Sequence, residues 1–143
     1  MIIFLYGPDD YRREQKKKSI IEEFKRKHSN LGVGFFDFEE DDVPEQFREF
    51  TRAQSIFENS KLAILENVFD EVETQEKLAP ILKSVLGDKK TAILLSERDT
   101  PVKKFNFLVA EPTTFQKFEH MHGVEWHKFI VSEGEKLGIT LNQ

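Results

Sequence analysis

The chain of 143 residues contains no cysteine, only seven glycines and only five prolines. Without cysteine it cannot have a disulfide framework, a thiolate nucleophile or a zinc site built on sulfur. The low glycine and proline content excludes a collagen-like or low-complexity chain, and 38% hydrophobic with 33% charged residues is a composition that folds. The length corresponds to one ordinary domain around one core.

Long hydrophobic runs are also missing, since no segment approaches the ~20 apolar residues that cross a bilayer. Met1 to Tyr6 is apolar but has no basic leader before it and no small-residue cleavage site after it, which argues against a secretion signal. These absences predict a water-soluble protein of the cytoplasm. A net charge of −5 argues against a freestanding nucleic-acid binder, so a protein partner or a small ligand is expected.

Phenylalanine, in contrast, is abundant, with 14 copies against two tyrosines and one tryptophan. A phenylalanine ring can be buried without a hydrogen-bond partner. Most of these rings should fill the core, and a few can be kept for a surface task.

Apolar runs of strand length alternate with segments of helical periodicity. The predicted strands are Met1–Tyr6, Phe35–Phe38, Lys61–Glu66, Thr91–Ser96 and Thr114–Phe118. The predicted helices are Tyr11–His28, Pro44–Ala53, Thr74–Leu86 and Val124–Leu137. This alternation is typical of βαβ units and predicts an α/β fold with a five-stranded, mostly parallel sheet flanked by helices.

Three local signals refine this prediction. Asp9 or Asp10 can cap the first helix, because a carboxylate accepts hydrogen bonds from the free amides there. The segment from Asn30 to Gly34 predicts a turn. Pro80 lacks an N–H and should kink or split the third helix.

Charge is unevenly distributed along the chain. Tyr11 to His28 has eight basic and three acidic residues, whereas Asp37 to Phe50 has seven acidic residues and one arginine. Charge runs usually mark solvated helix faces. The two segments could also pair within the fold, or form a steering patch for a charged partner.

The loop after the first strand is where parallel α/β sheets commonly bind ligands. Here that loop, Gly7 to Asp10, has one glycine and two carboxylates. A phosphate-binding loop needs a glycine-rich stretch that ends in lysine and serine or threonine. Two carboxylates beside a helix N-terminus stabilise that helix and repel phosphate. Nucleotide binding of the usual kind is therefore not expected, and no cofactor is predicted.

Paired aspartates after a first strand are also found in phospho-receiver domains, where they hold a divalent cation. Those domains need a phosphorylated aspartate after the third strand, but that strand ends here with Leu65, Glu66 and Asn67. Helix capping is the favoured interpretation. A nucleotide- or metal-dependent switch that uses Asp9, Asp10 and Ser96 is kept as the alternative function.

Three histidines, His120, His122 and His127, form an H-x-H-x4-H cluster that could supply metal ligands. Without cysteine or a defined carboxylate partner, incidental surface histidines are the favoured interpretation, and no metal is predicted. The chain also has no G-x-S-x-G motif of a serine hydrolase. No catalytic site is predicted, so the protein is not expected to be an enzyme.

The segment Gln54, Ser55, Ile56, Phe57 is the most informative for binding, because it lies between the second helix and the third strand. Ile56 and Phe57 could simply cap the core. Alternatively, they could anchor the protein in a hydrophobic pocket of a partner, with Gln54 as a polar handle.

Four parts of the chain, in this order and spacing, resemble the delta subunit of the bacterial DNA polymerase III clamp loader. They are Phe4 to Tyr11, Ser55 to Phe57 followed by Lys61 to Leu65, Thr91 to Ser96, and Trp126 with Gly138, Ile139 and Leu141. The resemblance implies an AAA+-like N-terminal domain of the P-loop NTPase class with a degenerate nucleotide site. It also implies a non-catalytic part of a DNA polymerase III holoenzyme.

The resemblance assigns a role to the segment singled out above. Ser55, Ile56 and Phe57 match the wedge that enters the hydrophobic pocket of the ring-shaped sliding clamp and helps to open it. Gln54 resembles the polar residue of clamp-binding peptides but lies one residue closer to the apolar pair than in the usual pattern.

The resemblance also implies partners and a domain division. The partners are the sliding clamp (beta subunit) and other clamp-loader subunits reached through further C-terminal domains, with DNA only indirectly involved and no membrane. Residues 1–122 correspond to the AAA+-like α/β domain. Residues 123–143 correspond to the start of a helical lid domain that is truncated here.

Overall fold

The computed structural model describes residues 1–53, 60–121 and 128–133. Strands and helices alternate along these ranges, as the sequence predicts. The strands are β1 (Ile2–Tyr6), β2 (Leu31–Asp37), β3 (Ser60–Glu66), β4 (Thr91–Glu97) and β5 (Thr114–Lys117). The helices are α1 (Asp10–Lys27), α2 (Val43–Arg52) and α3 (Val72–Ser84), and Lys103–Val109 forms a 3-10 segment.

The five strands form one sheet in the order β2-β3-β4-β1-β5, and every neighbouring pair is parallel. The predicted five-stranded parallel sheet is confirmed. Because all strands run the same way, their carboxyl ends meet at one end of the sheet, which we call the carboxyl end. The strands β2 and β5 lie at the two edges.

Each face of the sheet carries its own layer of helices. On one face, Ile2 and Phe4 of β1 belong to the cluster that contains residues of α2, α3 and the 3-10 segment. On the other face, Leu5 belongs to a smaller cluster that is covered by α1. The alternation of side chains along β1 thus supplies both layers. In the described part of the chain, no ion pair joins the basic segment Tyr11 to His28 to the acidic segment Asp37 to Phe50.

The predicted turn at Asn30 to Gly34 is wrong, because β2 already begins at Leu31. Leu31 and Val33 pack against the cluster on the α1 face. A side chain at Gly34 would place its Cβ 2.7 Å from the ring of Phe36. Gly34, which suggested a turn, therefore lies in a strand where the ring of Phe36 packs close to the backbone.

The predicted split of the third helix at Pro80 is also wrong, since α3 runs from Val72 to Ser84 with Pro80 inside it. Its neighbours Leu78 and Leu82 are fully buried in the core. Packing of this apolar stripe outweighs the loss of one backbone hydrogen bond.

Part of the predicted last helix is described, because residues 128–133 are helical. This turn packs on the start of α1, where the ring of Phe129 meets Tyr11 edge-on at 5.8 Å and the Tyr11 hydroxyl donates to Glu133 at 2.8 Å. The other residues of the predicted helix lie outside the described ranges. In the part of the chain that the structure describes, no helix is both long enough and apolar enough to cross a membrane.

Candidate functional site

The loop after β1 begins with a glycine that no other residue can replace without strain. Gly7 has a φ of +125°, and its N–H donates to the Glu97 carbonyl at 3.1 Å. A Cβ at this position would lie 2.3 Å from the carbonyl oxygen of Phe118. The loop is therefore held against the ends of β4 and β5 by backbone contacts.

Asp9 caps α1, as the sequence predicts. Its carboxylate is buried and accepts a hydrogen bond from the N–H of Arg12 at 3.1 Å. Its own N–H donates to the Phe118 carbonyl at 3.1 Å. Free amides at a helix N-terminus are the groups that bind phosphate in nucleotide sites. Here a side chain of the protein already occupies one of them.

Arg13 lies across the position that a ligand of this loop would approach. Its guanidinium donates to the Gly7 carbonyl and to the Ser96 hydroxyl, the latter at 3.0 Å, and forms an ion pair with Asp10 at 2.9 Å. The residues of the alternative switch function, Asp9, Asp10 and Ser96, are thus all engaged in contacts within the protein. This arrangement disfavours the switch.

Lys17, one helical turn after Arg13, forms a second link at the carboxyl end. Its buried ammonium contacts Glu14 at 2.7 Å and Glu66, at the end of β3, at 2.5 Å. Burial lowers the pKa of Lys17, but the hydrogen bonds and charges of the two carboxylates outweigh it and raise the pKa above its usual value. Lys17 is therefore a permanent cation that ties α1 to β3.

Glu97, the last residue of β4, is a buried acid. The N–H of Val68 donates to its carboxylate at 2.6 Å, and only 7% of the residue is exposed. Burial raises the pKa of Glu97 to about 7, and the charges of Asp70 and Glu66 act in the same direction. The hydrogen bond from Val68 and the charge of Arg13 oppose this rise. Glu97 consequently changes protonation near neutral pH.

An open cleft of about 500 Å³ lies at the carboxyl end of the sheet, and Arg13, Glu66 and Glu97 are among the residues that line it. Seven carboxylate side chains and two arginines line it, so its surface repels the phosphates of a nucleotide. Within the described ranges, no group of three histidine or acidic side chains is arranged to hold a metal ion. The chemistry of the cleft is that of an internal ion network.

Sequence reasoning missed Arg13, Lys17 and Glu97. A weak signal for the first two exists, because they lie four residues apart on the side of α1 that also carries Ile20 and Phe24. Charged residues on the buried side of a helix need partners.

The clamp-binding residues predicted from the sequence, Gln54, Ser55, Ile56 and Phe57, lie outside the described residues. The positions that flank them are described. Lys61 donates to the carbonyls of Phe50, at 2.8 Å, and Ala53, and its ammonium lies 5.7 Å from the centre of the Phe50 ring. One side chain of β3 therefore caps the end of α2 just before the segment begins.

The predicted histidine cluster is only partly described. His120 is exposed and lies beside Arg12 and Lys117 in a shallow depression. His122 and His127 lie outside the described residues.

Comparison with solved structures establishes the fold class. The DNA clamp loader delta protein of Bacillus subtilis matches 99% of this chain with a TM-score of 0.63 and 19% sequence identity. Drosophila ORC, in its structure bound to DNA, matches 95% of the chain with a TM-score of 0.51 and 14% identity. The chain has an AAA+-like fold.

The chain spans 44% of the length of the clamp loader delta protein and 42% of the matched ORC chain. No protein-family model and no curated protein sequence matches it. The solved structures thus confirm the fold expected from the resemblance to clamp-loader delta subunits. At identities of 19% and 14%, these comparisons show the fold alone.

Proposed function

We propose that this AAA+-like domain is a non-catalytic clamp-loader module that binds a ring-shaped sliding clamp and helps to open it during DNA replication. The observation that carries the proposal is the match of its fold, over 99% of the chain, to a DNA clamp loader delta protein. The sequence adds the wedge residues Ile56 and Phe57 at the position expected for such a subunit.

The carboxyl end of the sheet supports a role without nucleotide hydrolysis. Asp9 caps α1, and Arg13 binds Gly7 and Ser96. Protein groups therefore satisfy the loop that would hold phosphate in a nucleotide-binding relative. We therefore assign this domain a role in binding a protein partner.

The flanks of the Gln54 to Phe57 segment support its use as a binding element. Lys61 fixes the end of α2 to the start of β3, so the positions on both sides of the segment are held by the domain. Flanks that are already fixed lower the conformational entropy cost of binding through the segment.

The proposed mechanism is differential binding. If Ile56 and Phe57 fit the opened clamp better than the closed ring, binding shifts the clamp toward opening by that difference in affinity. Burial of one isoleucine and one phenylalanine supplies roughly 3 to 6 kcal/mol before ordering costs. Gln54 and Ser55 contribute polar contacts around this apolar anchor.

The proposal includes the wider setting. We propose that residues 123–143 begin a helical lid and that further C-terminal domains join this one to other clamp-loader subunits. Contact with DNA is indirect in this proposal, no membrane is involved, and the protein works in the cytoplasm.

The test is a titration of the host's sliding clamp with the purified chain and with the variant I56A/F57A. The substitutions should abolish measurable clamp binding and leave the melting temperature unchanged. A matched control is V102A/F115A, which removes one aliphatic and one phenylalanine side chain that are exposed elsewhere on the domain. Equal clamp affinity of both variants and the parent chain would refute the wedge.

A calorimetric titration with ATP and Mg²⁺ tests the non-catalytic part separately. We expect no heat of binding, because the loop after β1 is already occupied by protein groups. Saturable nucleotide binding would instead support the switch function.

A further inference from the structure

The strand β2 is an edge strand whose outer side has no partner in the described part of the chain. It pairs with β3 on one side over its full length, Leu31 to Asp37. The six residues from Leu31 to Phe36 carry no charge. An uncharged edge strand of this length presents free backbone N–H and C=O groups that another extended segment can pair with.

One face of this strand exposes a large ring. Leu31 and Val33 pack partly into the cluster under α1, and Phe35 shares their face because side chains alternate along a strand. Phe35 is 69% exposed, the largest exposed fraction among the exposed large hydrophobic residues of the described chain. Its ring thus lies at the rim of the α1 face, beyond the part that the helix covers.

The helix α1 lies over β4 and β1 and carries two unpaired lysines on its side toward β2. Ile20 of α1 lines a groove with Ile3 of β1, and Lys17 contacts Glu66 of β3. The side of α1 that lies past Lys17, away from Ile20, therefore faces β2. Lys18 and Lys25 lie on that side, seven residues apart, which places them two turns apart in one row. Both side chains are exposed, and neither forms an ion pair in the described part of the chain.

A second copy of this chain is a poor occupant of the edge. Antiparallel pairing of β2 with β2 of a second copy would place both α1 helices on the same face of the joined sheet, with their lysine-bearing sides turned toward the shared edge. Lys18 and Lys25 would then face the same lysines of the second copy, and like charges repel. The lysines therefore favour a segment with acidic side chains.

We propose that the outer edge of β2, with Phe35, Lys18 and Lys25, is a docking site for an extended peptide segment of a partner protein. The segment pairs with β2 as a sixth strand of the sheet. On its α1 side it carries acidic side chains that contact Lys18 and Lys25 and an apolar side chain that contacts Phe35. Backbone pairing supplies affinity, and these side chains supply specificity. This site is distinct from Gln54 to Phe57 and goes beyond the proposed clamp binding.

The experiment follows the backbone amide signals of the full chain by NMR as peptide is added. The probe is a capped peptide of about seven residues, the length of a typical strand, in which threonine alternates with glutamate and valine. A matched control peptide has lysine in place of each glutamate. The variant K18E/K25E reverses the charge on α1, and F35A removes the exposed ring.

At about 1 mM peptide, the glutamate peptide should shift the amide signals of Leu31 to Phe36, and the lysine peptide should bind about three- to tenfold more weakly. The preference should reverse in K18E/K25E, and F35A should weaken both peptides. Thermal melting of each variant checks that the fold is retained.

Four results would overturn the proposal: no shift in β2, shifts confined to other strands, equal binding of both peptides, or the same preference in K18E/K25E. A thymidine oligonucleotide that shifts these signals when the glutamate peptide does not would assign the surface to nucleic acid. Dimerisation in sedimentation runs that is lost in F35A would assign it to a second copy.

Discussion

The N–H of Val68 donates to the carboxylate of Glu97 at 2.6 Å, which joins the loop after β3 to the last residue of β4. The bond involves a buried acid whose pKa is raised to about 7. An ionised Glu97 accepts this hydrogen bond strongly, yet its charge is costly where water is excluded. The folded state therefore holds a proton more tightly than the unfolded chain does.

The first prediction concerns stability against pH. Because the folded pKa of Glu97 is about 7 and the ordinary value is 4.5, its stabilising effect is complete below pH 4.5 and is lost as pH rises through 7. The glutamine variant E97Q keeps an acceptor for Val68 but cannot ionise. The free energy of unfolding of the parent chain should fall from pH 5 to pH 8 by about 2 to 3 kcal/mol more than that of E97Q.

Urea denaturation of both proteins at the two pH values measures this difference. Other titrating groups cancel in the comparison, because both proteins contain them. Identical pH dependence would show that Glu97 ionises at its ordinary pKa in the folded state.

The second prediction concerns Arg13. Removal of its guanidinium in R13A leaves the Gly7 carbonyl and the Ser96 hydroxyl without their donor, and Asp10 keeps only the longer ion pair with Arg98 at 4.0 Å. The variant should lose roughly 2 to 3 kcal/mol of unfolding free energy in chemical denaturation. The control R26A removes an exposed arginine that pairs with Glu23 at 3.5 Å and should cost about 0.5 kcal/mol or less. Equal losses would mean that the Arg13 contacts add nothing to stability.

The third prediction concerns Gly7. Alanine at this position combines a φ of +125° with a Cβ 2.3 Å from the Phe118 carbonyl oxygen, so G7A should lose about 3 kcal/mol or more and could fail to fold. The control G87A introduces a Cβ that meets no atom within 4 Å and should change stability by about 1 kcal/mol or less. Thermal melting compares the two. A G7A protein as stable as G87A would contradict the close approach of the loop to Phe118.

The fourth prediction concerns Lys61 and rests on the proposed function. Replacement by methionine keeps the apolar stem but removes the ammonium that caps α2 through the Phe50 and Ala53 carbonyls. We expect K61M to lose about 1 kcal/mol of stability and to bind the sliding clamp several-fold more weakly, because one anchor of the wedge segment is released. The control K77M breaks an exposed helical pair with Glu73 and should leave clamp affinity unchanged. Unaltered clamp binding by K61M would show that the anchor does not matter for the wedge.

The alternation of strands and helices could be predicted because each element carries its own period. The apolar run of β1 and the cap at Asp9 are local signals, and the structure confirms both. The start of β2 could not be found in this way. A glycine such as Gly34 is common in turns, and only the nearby ring of Phe36 explains its place in a strand.

The ion network at the carboxyl end could not be predicted, because its members are far apart in sequence. Arg13 meets Ser96, and Val68 meets Glu97, only after parallel pairing places the ends of β1, β3 and β4 together. The wedge residues Ile56 and Phe57 stay a prediction, since they lie outside the described residues.

The place of β3 within the sheet has a mechanical consequence. β3 has hydrogen-bonded neighbours on both sides, β2 and β4, and it begins at Ser60, three residues after Phe57 of the proposed wedge segment. A pull on that segment along the axis of β3 loads the hydrogen bonds of both ladders together rather than one after another. Force applied by a partner is thereby carried as shear by an interior strand and its two neighbours.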